Sequence, residues 1–142
     1  MRILLTIALA FLSPICTVAQ DNVNRKEMVG FGCYFEGRTT KTVIKVMKLL
    51  KAKNYKRVSR LLTSGNSGEK YLAVISLQRL QEGGQYTLSK NDKDLLNKAM
   101  QSDVMVSVCE GCTYFDQVPL KNLLKNNLFG ASQWLDKTIK KD

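Results

Sequence analysis

Few residues in this chain have side chains suited to chemistry, and the cysteines come first among them. They stand at positions 16, 33, 109 and 112. Cys16 falls inside an N-terminal leader, which leaves Cys33, Cys109 and Cys112 in the processed chain. In an oxidising compartment this odd set predicts a structural disulfide and one further thiol. Joining Cys33 to Cys109 or Cys112 closes a loop of about 76 or 79 residues, worth roughly 4 kcal/mol in the chain-entropy description. The Cys109-Glu110-Gly111-Cys112 spacing also fits a redox dithiol. A reactive dithiol needs a strand before it and a helix start behind it, where the helix dipole lowers the thiol pKa. Val104 to Val108 suits the strand, but Thr-Tyr-Phe-Asp-Gln-Val after Cys112 is poor helix-starting material. The staple to Cys33 is therefore the favoured reading. Structural zinc takes four ligands, and three cysteines without histidine fall one short. Covalent haem attachment needs a histidine where Thr113 stands. No cofactor or metal is expected.

The chain contains no histidine, which removes His-based triads and the usual His general bases. Twelve acidic residues keep a carboxylate pair open. Glu36, in a glycine- and aromatic-rich segment, and Glu110, between two cysteines, would be drawn together by a Cys33 bridge. Two carboxylates across a cleft would serve glycoside hydrolysis; as ordinary loop residues they would do nothing. The run Gly-Phe-Gly-Cys-Tyr-Phe-Glu-Gly lacks both the Lys-Ser/Thr ending of a phosphate loop and the dinucleotide-binding spacing.

The remaining chemistry is charge. The formal net charge is +10, and Lys48, Lys51, Lys53, Lys56, Arg57 and Arg60 form a dense basic stretch. Spread over two helices and a turn, these six make a candidate anion-binding patch. An anionic surface polymer, a protein or a membrane surface would be its partner. No nucleic-acid module accompanies the charge, so nucleic acid is not expected. The bland alternative is a solvated face that keeps the protein soluble.

These groups need elements to position them. Residues 1–19 have the anatomy of a secretory signal peptide. Arg2 precedes an apolar run from Ile3 to Leu12, Ser13-Pro14 breaks it, and Thr17-Val18-Ala19 offers small residues for cleavage. The run is too short to span a bilayer, and no later segment reaches that length. Ile15 before Cys16 argues against lipid attachment. The protein is thus expected to be exported, to a periplasm or the extracellular space, without a transmembrane segment in the mature chain.

Residues 20–38 read as an N-terminal arm, mobile through Glu27, followed by a Gly/aromatic segment. Residues 39–142 read as a single helical domain. Lys41 to Lys53 places Val43, Ile44, Val46, Met47, Leu49 and Leu50 in a wide apolar arc, with Lys41, Lys45 and Lys48 on one wet stripe. Thr39 or Thr40 would cap that helix. Tyr55 to Leu62 is a second, short helix. Ser67 opens a third, whose Leu72, Ala73, Val74, Ile75, Ser76, Leu77 and Leu80 suit a central position, and Gly83-Gly84 ends it. Ser89 caps a fourth, with Asp92 and Asp94 early and Lys98 late, as the helix dipole prefers. Val104 to Val108 favours an extended segment lying near Cys33. Pro119 then opens a helix bearing Leu120, Leu123, Leu124 and Leu128. Gly130 breaks the run, and Trp134, Leu135 and Ile139 dock a terminal helix.

The block LLTSGNSGEKYLAVISLQRLQEG, Leu61 to Gly83, resembles one unit of a HEAT or armadillo helical repeat, with Ala73 as its inward alanine. It covers about a sixth of the chain, and no second copy follows at a fixed period. The fold expected is all-α: a small orthogonal helical bundle or HEAT-like helix pairs, with room for a short β-like pairing near the cysteines. The function expected is an exported binding or structural module. The alternative is a small exported enzyme using carboxylates or the Cys109-Cys112 dithiol.

Overall fold

The computed structural model describes residues 22–125 and 130–140. The expected leader and Leu128 lie outside the described residues. Within them the chain forms a small helical bundle with one β-hairpin. Its elements are α1 (Lys41–Lys51), α2 (Tyr55–Arg60), a 3-10 turn (Leu61–Thr63), α3 (Ser67–Glu82), α4 (Lys90–Met100), β1 (Met105–Glu110), β2 (Tyr114–Pro119), α5 (Leu120–Lys125) and α6 (Ala131–Thr138).

α3 is the central helix. Ten of its residues are buried, and they lie all round its circumference rather than on one stripe. α1, α2, the 3-10 turn, α4, α5 and β1 all contact it. A layer of a helical solenoid touches only the layers beside it, so the repeat-like block is the hub of a bundle. Ala73 does face inward, with no exposed surface. α1 lays Val43, Val46 and Leu50 on the core, while Lys41, Lys45 and Lys48 stay wet. The 3.6-residue period requires this division.

The helix ends show how the backbone is satisfied. Asn66, rather than Ser67, caps α3, accepting from the Glu69 N–H at 2.9 Å. Ser89 caps α4 through the Asp92 N–H at 3.1 Å. Thr40 stands at the start of α1 but its hydroxyl does not cap the helix; it accepts from the Gly30 N–H at 3.2 Å. α1 ends with Lys53 in the left-handed region, φ 51°, where glycine is usual. The Asn54 N–H donates to the Leu49 carbonyl and the Lys53 N–H to the Leu50 carbonyl, which satisfies the last turn. Gly130, φ 75°, breaks the chain ahead of α6.

Residues 22–27 are not a free arm. The Asn24 N–H donates to Ser107 Oγ at 2.8 Å. Glu27 Oε2 accepts from the Ser67 N–H at 2.9 Å and from Ser67 Oγ at 3.2 Å, at the first turn of α3. A carboxylate is favoured there by the orphan N–H groups and the helix dipole. The close approach depends on Gly68, where a Cβ would overlap the Glu27 carbonyl oxygen.

The region after α4 is more β-structured than the apolar pattern predicts. β1 and β2 pair antiparallel, with Val106 opposite Val118 and Cys109 opposite Phe115. Residues 114–118, poor helix formers, are the second strand, and Pro119 closes it directly ahead of α5. Met28 to Tyr34 runs along the other edge of β1. Val29 bridges Val108 in parallel, and Cys33 bridges Gly111 in the same sense. Val29 and Met28 are each 2% exposed, so the start of this segment belongs to the core. Phe31 packs against Trp134 with ring centroids 5.2 Å apart, tying the segment to α6.

Two substitutions test this arrangement. Gly68→Ala would gain helix propensity yet lower stability by about 1–3 kcal/mol, because the added methyl has no room. Among the described residues, Ser76 Oγ is buried with no hydrogen-bond partner. Ser76→Ala should therefore raise stability by about 1 kcal/mol. Urea unfolding of each variant beside the parent reads both.

Candidate functional site

The cysteines and their neighbours form one locus. Cys33 is bonded to Cys109, with Cα atoms 5.6 Å apart, and both residues have no exposed surface. Four backbone hydrogen bonds run beside the bond: Val29 N–H to Ser107 O, Cys109 N–H to Val29 O, Gly111 N–H to Gly32 O, and Tyr34 N–H to Gly111 O, at 2.7–3.0 Å. Gly30 lies over the sulfurs, where a Cβ would overlap both. Cys112 is a free, exposed thiol on the turn between β1 and β2. It pairs with neither other cysteine, and no helix begins behind it. The two cysteines of the CxxC sequence thus play different parts, one a buried staple and the other a surface thiol.

The carboxylates Glu36 and Glu110 are both exposed. Glu36 forms a surface ion pair with Arg38. Glu110 ends β1 opposite Tyr114. Among the described residues, no group of three or more His, Cys, Asp or Glu side chains gathers in a metal-binding arrangement. No helix among them is long and apolar enough to cross a membrane.

The six basic residues expected to form a patch are divided by the helix geometry. Lys48, Arg57 and Arg60 line a cleft of about 630 Å³ between α1 and α2. Lys51 and Lys53 face a different hollow of about 470 Å³, shared with Lys137 and Lys140. Lys56 lies by a third depression beside Ser89 and Asp92, which Arg60 also borders. The six thus border three hollows, with Arg60 common to two of them.

The α1–α2 cleft is completed by Lys41, Ile44, Lys45, Leu49 and Leu61. From α1 come residues 41, 44, 45, 48 and 49, a single stripe at three- and four-residue spacing. From α2 and the 3-10 turn come 57, 60 and 61, the same spacing again. Five cations therefore rim the cleft, three half-buried aliphatic side chains floor it, and no carboxylate lines it. Lys45 is the one rim cation held by a salt bridge among the described residues. Its partner is Glu69, a buried carboxylate that also accepts from Ser64 Oγ at 2.9 Å. Lys41, Lys48, Arg57 and Arg60 have no ion-pair partner among the described residues.

The charge around this cleft is not an average property of the chain. From Gly37 to Gly68 there is no acidic residue, while nine cations fall between Arg38 and Arg60. The other thirteen cations nearly cancel the twelve carboxylates. Almost all the net positive charge therefore originates on α1, α2 and their flanks. Lys48 and Lys51 in the last turn of α1 complement its dipole, as do Arg57 and Arg60 on α2. Lys41 does the opposite, sitting in the first turn of a helix that has no acid there. Helix stability does not account for it, whereas the cleft gives it a place. The helical spacing to Lys48 was the sequence signal for Lys41 and Lys45; density along the chain pointed instead to Lys51, Lys53 and Lys56.

Compared with protein-family models, curated proteins and solved structures, the chain matches none.

The disulfide makes a direct prediction. In the protein prepared without residues 1–19, one thiol per chain should titrate with a maleimide in the native state, and still one in denaturant without reductant. The double variant Cys33→Ser, Cys109→Ser should lose about 4 kcal/mol of stability in urea unfolding. Three titratable thiols, or a bridge mapped to Cys112, would contradict the pairing.

Proposed function

We propose that this protein is an exported, non-enzymatic binding module that takes an anionic partner in the cleft between α1 and α2. The observation that carries the reading is that cleft's makeup: five cations, three aliphatic residues and no carboxylate. Unpaired like charges raise one another's cost, so their collection in one concave site favours an anion that relieves them. The leader-like segment over residues 1–19 supports delivery outside the cytosol. The disulfide is consistent with an oxidising destination. An enzyme built on the CxxC sequence draws no support from a Cys109 already bonded to Cys33, nor one built on carboxylates from an exposed Glu36 held by Arg38.

Calorimetric titration of the leaderless protein with dextran sulfate over a salt series tests the reading. Affinity should fall with salt, and the variant Lys48→Glu, Arg57→Glu, Arg60→Glu should bind at least about tenfold more weakly, a change of about 1.4 kcal/mol. A control of equal charge change, Lys70→Glu, Lys93→Glu, Lys98→Glu, should lose markedly less. Equal losses in both variants would reduce the effect to net charge and overturn the assignment of the site.

A further inference from the structure

Resting on that reading, we propose that the occupant of the α1–α2 cleft is a free, single-chain anionic amphiphile with a carboxylate head group. A site for a purely hydrophilic anion has no use for Ile44, Leu49 and Leu61 at its floor. These three aliphatic side chains remain half-buried rather than withdrawn into the core. Ile44 is the clearest case, since it stands outside the main apolar core, to which Leu49 and Leu61 are packed. With Leu49 and Leu61 it gives the cleft an apolar strip beside its five cations.

Shape and charge narrow the choice. The cleft holds about 630 Å³, inside the ordinary range of small-molecule sites, roughly 300–1,000 Å³. A bilayer surface calls for a protruding apolar anchor, and here the aliphatic groups lie at the bottom of a concavity. An extended alkyl chain fits along the floor. Its carboxylate then meets Lys41, Lys48 and Arg57, whose charges no carboxylate of the described residues neutralises. Lys45 is less available, because Glu69 holds it.

The test uses butyrate, hexanoate, octanoate and decanoate, with decan-1-ol as the uncharged analogue, all below micelle-forming concentrations. The leaderless protein is titrated by calorimetry and followed by the methyl NMR signals of Ile44, Leu49 and Leu61. Decanoate should bind saturably with one site per chain and shift those methyls. Affinity should rise by up to about fourfold for each methylene buried. Decan-1-ol should bind at least about tenfold more weakly than decanoate, as should the variant Lys48→Gln, Arg57→Gln. Ile44→Gln should weaken decanoate while leaving the melting temperature near that of the parent. Affinity independent of chain length, shifts away from the cleft, or binding to anionic phospholipid vesicles without binding of decanoate would each overturn the proposal. Dextran sulfate bound at the cleft with decanoate refused would sink the amphiphile and leave the anionic binding module standing. Refusal of both would sink the two together.

Discussion

No residue of α3 before Gln81 is exposed, and the rest of the molecule answers that constraint. A helix so little exposed has to be covered over most of its surface. α1, α2 and the 3-10 turn cover part of it, α4 and α5 another part, and β1 a third. Apart from Ser76, its buried polar groups find partners. Its first turn is closed by the Glu27 carboxylate, and Glu69 is neutralised by Lys45 and bonded by Ser64. Burial pushes the Tyr71 hydroxyl up to about 12, so this side chain stays neutral over the range in which proteins usually work. Because α1 and α2 spend their apolar faces on α3, the opposite faces are left to line the cleft. The basic site is in this sense the outer side of the packing that buries the hub.

Much of the helical part was legible from periodicity. The wet lysine stripe on α1, the central place of Leu72 to Leu80, the Ser89 cap and the break at Gly130 all follow from 3.6-residue spacing and simple capping chemistry. The start of α3 at Ser67 was legible, but its cap Asn66 was not singled out, because Asn and Ser are nearly equal as caps and local sequence does not rank them. The β-hairpin was half legible. Val104 to Val108 announced one strand, but β2 carries Asp116, Gln117 and a terminal Pro119, and strand pairing depends on partners distant in sequence. The docking of residues 22–27 was hidden for the same reason, since a polar segment gives no sign of a hydrogen bond to Ser107 or Ser67.

The candidate site was legible in kind more than in place. The charge excess was plain in the composition, and so was the concentration of lysine and arginine after Lys48. A count along the chain cannot tell which of those side chains share a surface. Consecutive helical positions differ by about 100°, so Arg57 joins Lys48 while Lys56 turns away. The local shape of the site comes from the angle between two short helices, and the turn at Lys53 and Asn54 sets that angle. For the cysteines, the odd number pointed to one staple and one spare. Only the isolated bridges of Val29 to Val108 and of Cys33 to Gly111 decide which of the two CxxC cysteines is the partner.

That same pairing bears on the order in which the chain comes together. Val29 meets Val108 across most of the described sequence, and a parallel contact of such span carries a large loop-closure cost before it returns any stabilisation. α1, α2 and α3 meet through short connections and pay little of that cost. Local helical contacts are therefore favoured to form first, with the edge segment seated against β1 late. The disulfide then covalently fixes a contact between residues 76 apart in sequence. Until the segment seats, β1 presents an unpaired edge to other chains, a hazard of the kind that nascent β-edges carry. Once the disulfide forms, the segment that covers that edge can no longer leave it.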